Sequence, residues 1–148
     1  GQGKGVLRAT QIFLGRINLT RLSVSTKEEY ADWLNKETNA LLDNLPIKNR
    51  PWGAARKAIN LFMRDALYNQ YLNDHFGLGK LEQWMEVPLD RAVAKGLKKH
   101  DGHLPQWPGL KHLTPSISSQ FQDFAAIHAD RKKIERVHLD IYLWLENR

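Results

Sequence analysis

The chain has 148 residues, 42% hydrophobic and 26% charged, which is enough for one compact domain with a sizeable buried core. It holds no cysteine, which excludes a disulfide framework and a thiolate metal site and fits a reducing, intracellular setting. Lysine and arginine number 22 against 16 acidic residues, a net charge of +6 that attracts polyanions and is equally the incidental charge of an ordinary basic protein.

The opening Gly1-Gln2-Gly3-Lys4-Gly5 reads as a disordered tail, an expression scar or the cut end of a longer chain. Val6 to Leu14 is interrupted by Arg8 and Gln11, so no secretory segment is expected there. No apolar run nears the roughly 18 residues that a membrane span requires. Ser25 or Thr26, followed three residues later by Glu28 or Glu29, is a capping-box pattern. It opens a predicted helix to about Leu42, which Leu45-Pro46 ends. A polar turn over 47–53 leads into a long predicted helix from about Ala54 to His75. There Ile59, Phe62, Met63 and Ala66 share one face, and Gly77 and Gly79 supply the stop.

Leu81 to Val87 is a short apolar-rich segment punctuated by Pro88, and a helix is expected from about Leu89 to Lys99. His100 to Pro108 is a loop holding Gly102 and Pro105. Thr114-Pro115 has the form of an N-cap with proline at the first helical position, and Ile117, Phe121, Phe124, Ala125 and His128 form the apolar face that follows. A last helix is expected over about Ile134 to Glu146. Alternating strand patterns and internal repeats are absent from the sequence. The expectation is one all-α domain over 1–148 with short connections.

Three features carry chemistry. The basic turn with Lys48 and Arg50 feeds a helix that begins with Gly53, Arg56 and Lys57, and amides at a helix N-terminus suit a phosphate. An ordinary helical hairpin with solvated charges fits the same spacing. In Glu86-Val87-Pro88-Leu89-Asp90-Arg91, Asp90 stands at a helix start, where its simplest role is an N-cap. The alternative is an electrostatic partner for a developing cation. In Arg136-Val137-His138-Leu139-Asp140-Ile141-Tyr142-Leu143-Trp144, Asp140 and Trp144 lie four apart on one helix face. They could hold a flat heterocycle with N–H donors, or be a carboxylate paired to a basic neighbour and a core tryptophan. The histidines are scattered, His100 and His103 in a loop and His128 and His138 on separate helices, so neither a metal nor an organic cofactor is expected.

In this order the three features resemble the helix-hairpin-helix DNA glycosylase superfamily, and within it the archaeal 8-oxoguanine DNA glycosylase branch. Val87-Pro88-Leu89-Asp90 stands where that superfamily has its Pro-Val-Asp loop. Lys57-Ala58-Ile59-Asn60-Leu61-Phe62 lies upstream at a distance compatible with the branch's lysine run. His138-Leu139-Asp140-Ile141-Tyr142-Leu143-Trp144 matches its terminal Leu-His-aliphatic-Asp-x-x-x-Trp helix. The resemblance spans roughly Leu42 to Leu145.

It implies an all-helical fold with a helix-hairpin-helix element, shortened at its N-terminal end relative to the family. It implies a bifunctional glycosylase and AP lyase acting on a damaged purine, 8-oxoguanine first, without metal or cofactor. Lys57 would form the Schiff base and Asp90 would stabilise the developing positive charge. Asp140 and Trp144 would contact the base, and Lys48, Arg50, Gly53 and Arg56 the DNA backbone. The expected partner is double-stranded DNA containing a damaged base, bound by a monomer that is cytoplasmic and nucleoid-associated. A non-catalytic helical module binding DNA or RNA by its backbone, and a purely structural or protein-interaction domain, remain open alternatives.

Overall fold

The structure is a computed structural model in which residues 5–46 and 51–146 are described; Lys48 and Arg50 therefore lie outside the described residues. Seven helices and three 3₁₀ turns make up the described chain, with no strand among the described residues. The helices are α1 (Val6–Gly15), α2 (Lys27–Asn44), α3 (Trp52–Tyr68), α4 (Gln70–Phe76), α5 (Arg91–His100), α6 (Pro115–Arg131) and α7 (Leu139–Glu146). The 3₁₀ turns are Leu19–Arg21, Leu78–Trp84 and Arg136–His138. No helix is long and apolar enough to cross a membrane.

Helix starts follow their caps. Thr26 Oγ1 accepts from the Glu29 amide at 3.1 Å, while Glu29 Oε2 accepts from the Ser25 amide at 2.8 Å, so the box closes one residue further back than the simplest pattern. Thr114 caps α6 through the Ile117 amide at 3.2 Å, with Pro115 in its first turn. Asp90 caps α5 through the Val93 amide at 2.9 Å.

Four expectations need correction. First, α1 has no counterpart among the expected elements: it begins at Val6, directly after Gly5 at φ +83, without a side-chain cap. Second, the helix expected over 54–75 is two helices. Asn69 is extended and caps Leu72 of α4 at 3.0 Å, an asparagine satisfying its neighbours outside the helical ladder. Third, Gly77 does stop α4 at φ +62, but Gly79 lies within the following 3₁₀ turn. Fourth, the last helix starts late. Lys133 at φ +60 and the Ile134 N–H bonded to Ala129 O at 3.1 Å make a Schellman end to α6, after which the 3₁₀ turn Arg136–His138 precedes α7.

Two apolar clusters form the interior. One unites Tyr30, Leu34 and Leu41 of α2, Ile59 and Met63 of α3, Leu78 and Leu81 of the 3₁₀ turn Leu78–Trp84, and Met85, with Val6 of α1. The other unites Val87, Leu89, Val93, Leu97, Phe121, Ala125, Leu139 and Leu143 from α5–α7. Burying each such aliphatic side chain contributes roughly 1.5–3 kcal/mol. The clusters abut along the chain at Met85 and Val87, on either side of Glu86, and the polar network that joins them sits there.

Candidate functional site: a cleft between α3, α5 and α7

The segment leading to Asp90 is clamped from both sides. Arg56 forms two bonds to Glu86, Nε to Oε1 at 2.9 Å and Nη2 to Oε2 at 3.1 Å, and Asn60 Nδ2 adds a third at 3.0 Å. One residue later, the Gln122 side chain accepts from the Val87 amide at 3.2 Å and donates to its carbonyl at 2.7 Å, as a strand would. Arg136 donates to the carbonyls of Trp84, Met85 and Gln122. Burial drives the Glu86 carboxyl toward its neutral form, but Arg56, Asn60 and Arg136 outweigh it and hold the pKa below the usual glutamate range.

With its lead-in fixed, Asp90 divides its two oxygens between two tasks. Oδ1 caps α5, and Oδ2 stands 3.5 Å from Lys57 Nζ. The two chemistry-bearing residues therefore converge from a distance of 33 positions in sequence. Both side chains are partly buried and partly open to solvent.

Asp90 opens onto a cleft of about 370 Å³ whose lining includes Arg64, Tyr68, Asp140 and Trp144. Trp144 is 54% exposed, so it is a wall and not the core tryptophan of the bland reading. Asp140 does pair with a basic neighbour: Arg64 donates to its Oδ2, while Oδ1 accepts from the Ile141 amide at 2.9 Å. His138 anchors the start of α7, with Nε2 2.5 Å from Glu82 Oε1 and Nδ1 2.7 Å from the Tyr68 hydroxyl. The Tyr68 ring also stacks on His138 and lies under the Arg64 guanidinium at 5.8 Å.

Arg64 and Tyr68 line the cleft but were not among the residues expected from sequence, although a helical pattern pointed to them. Lys57, Leu61, Arg64 and Tyr68 recur at i, i+4, i+7 and i+11, so the stripe that carries the lysine carries them too.

Two residues assigned to the DNA backbone serve the interior instead. Arg56 is 8% exposed, its guanidinium bonded to Glu86 twice, to Asn35 at 2.8 Å and to Thr38 at 3.1 Å and set over the Trp52 ring. A phosphate could reach it only by breaking that network, and its charge is matched by Glu86 and not turned on Lys57. Gly53 is covered by the segment 110–113. A Cβ there would lie 2.5 Å from the Leu110 carbonyl oxygen and 2.7 Å from Leu113 Cβ, so the glycine serves close packing.

Solvent-facing cations lie elsewhere. Arg91, Lys95, Lys98 and Lys99 on α5, with Gln106 and Trp107 from the following loop, line an open groove of about 460 Å³. Arg91, Lys95 and Lys98 repeat at helical spacing on the helix that Asp90 caps. No protein-family model, curated protein or solved structure matches the chain.

Proposed function

We propose that the protein is a DNA base-excision glycosylase with AP lyase activity, acting on an oxidised purine of the 8-oxoguanine kind. The observation that carries this reading is Lys57 Nζ at 3.5 Å from Asp90 Oδ2, with Asp90 in turn lining one cleft together with Asp140 and Trp144; Lys57 itself stands outside that lining and reaches it through Asp90. A nucleophilic amine and a carboxylate acting on one atom have to meet in space, and these two do.

In this mechanism the damaged nucleotide leaves the base stack and enters the cleft. Trp144 offers its exposed face for stacking. Asp140 accepts from an N–H of the base edge, sharing or exchanging its bond to Arg64. An oxidised guanine carries an N7–H that guanine lacks, and a site built around that donor discriminates strongly. Lys57, as the free amine, attacks C1′. The glycosidic electron pair departs with the base, the sugar ring opens, and the lysine is left as a Schiff base. Proton loss at C2′ then expels the 3′ phosphate. Asp90 Oδ2 faces the developing positive charge, while Oδ1 stays on the Val93 amide and keeps the carboxylate from turning away.

The α5 groove takes over the backbone role first given to Gly53 and Arg56. Its cations begin one residue after Asp90, so a strand that presents a nucleotide to the cleft passes along them. This groove also favours the second reading, a non-catalytic module that binds nucleic acid by its backbone and discriminates little between sequences.

The test is strand scission on duplexes with a single 8-oxoguanine, against undamaged controls, for wild type and Lys57→Gln. Nicking confined to the lesion and abolished in the variant supports the enzyme. Salt-sensitive binding without nicking in either protein supports the module.

A further inference from the structure

Sequence spacing scatters the histidines, but folding gathers two of them. At the opposite end of α5 from Asp90, His100 meets His128 of α6 and Glu146 of α7. Each offers one ligand atom, and the three atoms lie within 4.8 Å of one another. His100 Nε2 is 2.9 Å from Glu146 Oε2, and the two imidazole rings are 4.2 Å apart at 32°.

His128 is the telling member. It is only 6% exposed, yet neither ring nitrogen has a hydrogen-bond partner. Buried polar atoms are nearly always satisfied, and an orphaned imidazole calls for a ligand.

We propose that His100, His128 and Glu146 bind one divalent transition-metal ion of the zinc class, tying the ends of α5, α6 and α7 together. Two imidazoles and a carboxylate suit zinc, with a fourth position left to water. Calcium and magnesium prefer all-oxygen sets. Bonds of ~2.1 Å place tetrahedral ligands ~3.4 Å apart, so the site closes by a small rotation of the half-exposed His100 and Glu146 side chains about a fixed His128. Lys132 Nζ already holds Glu146 Oε1 at 3.0 Å, and the ion would take the place of the proton between Oε2 and His100 Nε2. The charges of Lys132 and Arg131 oppose binding and set a ceiling on affinity. Because Asp90 caps α5 and α7 carries Asp140 and Trp144, the ion would fix the spacing of two helices that line the cleft.

The test is titration of the full chain with Zn²⁺, and with Mg²⁺ as control, by calorimetry in the absence of DNA. One zinc per chain is expected, with no magnesium uptake. Affinity falls by more than ~100-fold in His100→Ala and in Glu146→Gln, since losing a ligand costs more than losing its outer-shell support. Lys132→Ala, which removes the opposing charge, binds more tightly. Absence of zinc binding in the wild type would overturn the proposal, as would binding that His100→Ala leaves unchanged, which would assign it to other histidines. Because no DNA is present, either result leaves the glycosylase reading to its own test.

Discussion

Arg56 and Lys57 are neighbours on α3, and each faces a carboxylate of the same short segment, Glu86 and Asp90. The outcomes are opposite. Arg56 is buried, and its bonds to Glu86, Asn35 and Thr38 lock the guanidinium in place. Lys57 is half-exposed and makes one loose contact of 3.5 Å. A guanidinium presents a rigid fork suited to a permanent bidentate clamp, whereas an amine on a flexible stem suits a reacting group. One helix thus turns one charged pair inward to build the seam between the two cores and leaves the next pair available for chemistry.

That contrast can be broken most severely from the buried side. Glu86→Ala strands the buried Arg56 without its bonded counter-charge and is expected to destabilise the fold by about 3–5 kcal/mol, read as a fall in the denaturation midpoint. A change below about 1 kcal/mol would place the pair with ordinary surface bridges. Gly53→Ala comes next, at roughly 1–3 kcal/mol, because its Cβ would meet the Leu110 carbonyl, which cannot move away as a side-chain tip could.

The pH dependence sharpens the same contrast. Glu86 has a folded pKa held below its unfolded value, so its contribution is fully present above the ordinary glutamate value of about 4.3. It is lost as pH falls through the folded pKa. A stability profile in acid should therefore drop steeply for the wild type and more gently for Glu86→Gln.

On the open side the expected effects on stability are small. Asp90→Asn keeps a good N-cap for α5 and should cost less than ~1 kcal/mol of stability. If the proposed mechanism holds, the same substitution should abolish lesion-dependent nicking, since it removes the charge that the mechanism sets against C1′. Trp144→Ala should weaken binding of lesion DNA by the ~1–3 kcal/mol typical of one base stacked on an aromatic ring. If Asp90→Asn unfolds the protein, Asp90 belongs with Glu86 as structure, and the comparison collapses.

What the sequence made legible follows the same division. Local rules found the capping box at Thr26, the Thr114-Pro115 start, the stop at Gly77 and the Asp90 cap, because each depends on residues within one turn. The lysine, both aspartates and Trp144 could be nominated from motif order. Buried long-range polar partners could not: Arg56 with Glu86 spans 30 positions and Arg136 with Trp84 spans 52, and in sequence both arginines look like surface charge. Gly53 misled for a related reason, since its tight neighbour Leu110 lies far along the chain. The boundaries that failed turn on residues outside their usual habits, an asparagine ending one helix and capping the next, and a lysine in the left-handed region. The meeting of His100, His128 and Glu146 had no local signal at all.

The most direct test of the central claim, that Lys57 is a nucleophile held by Asp90 and expendable to the fold, is borohydride trapping on a duplex carrying one 8-oxoguanine. The account predicts a covalent protein–DNA adduct that disappears in Lys57→Gln while the variant's melting curve overlays the wild type. No adduct from a folded wild-type protein that binds the duplex, or an adduct that persists in the variant, would contradict it.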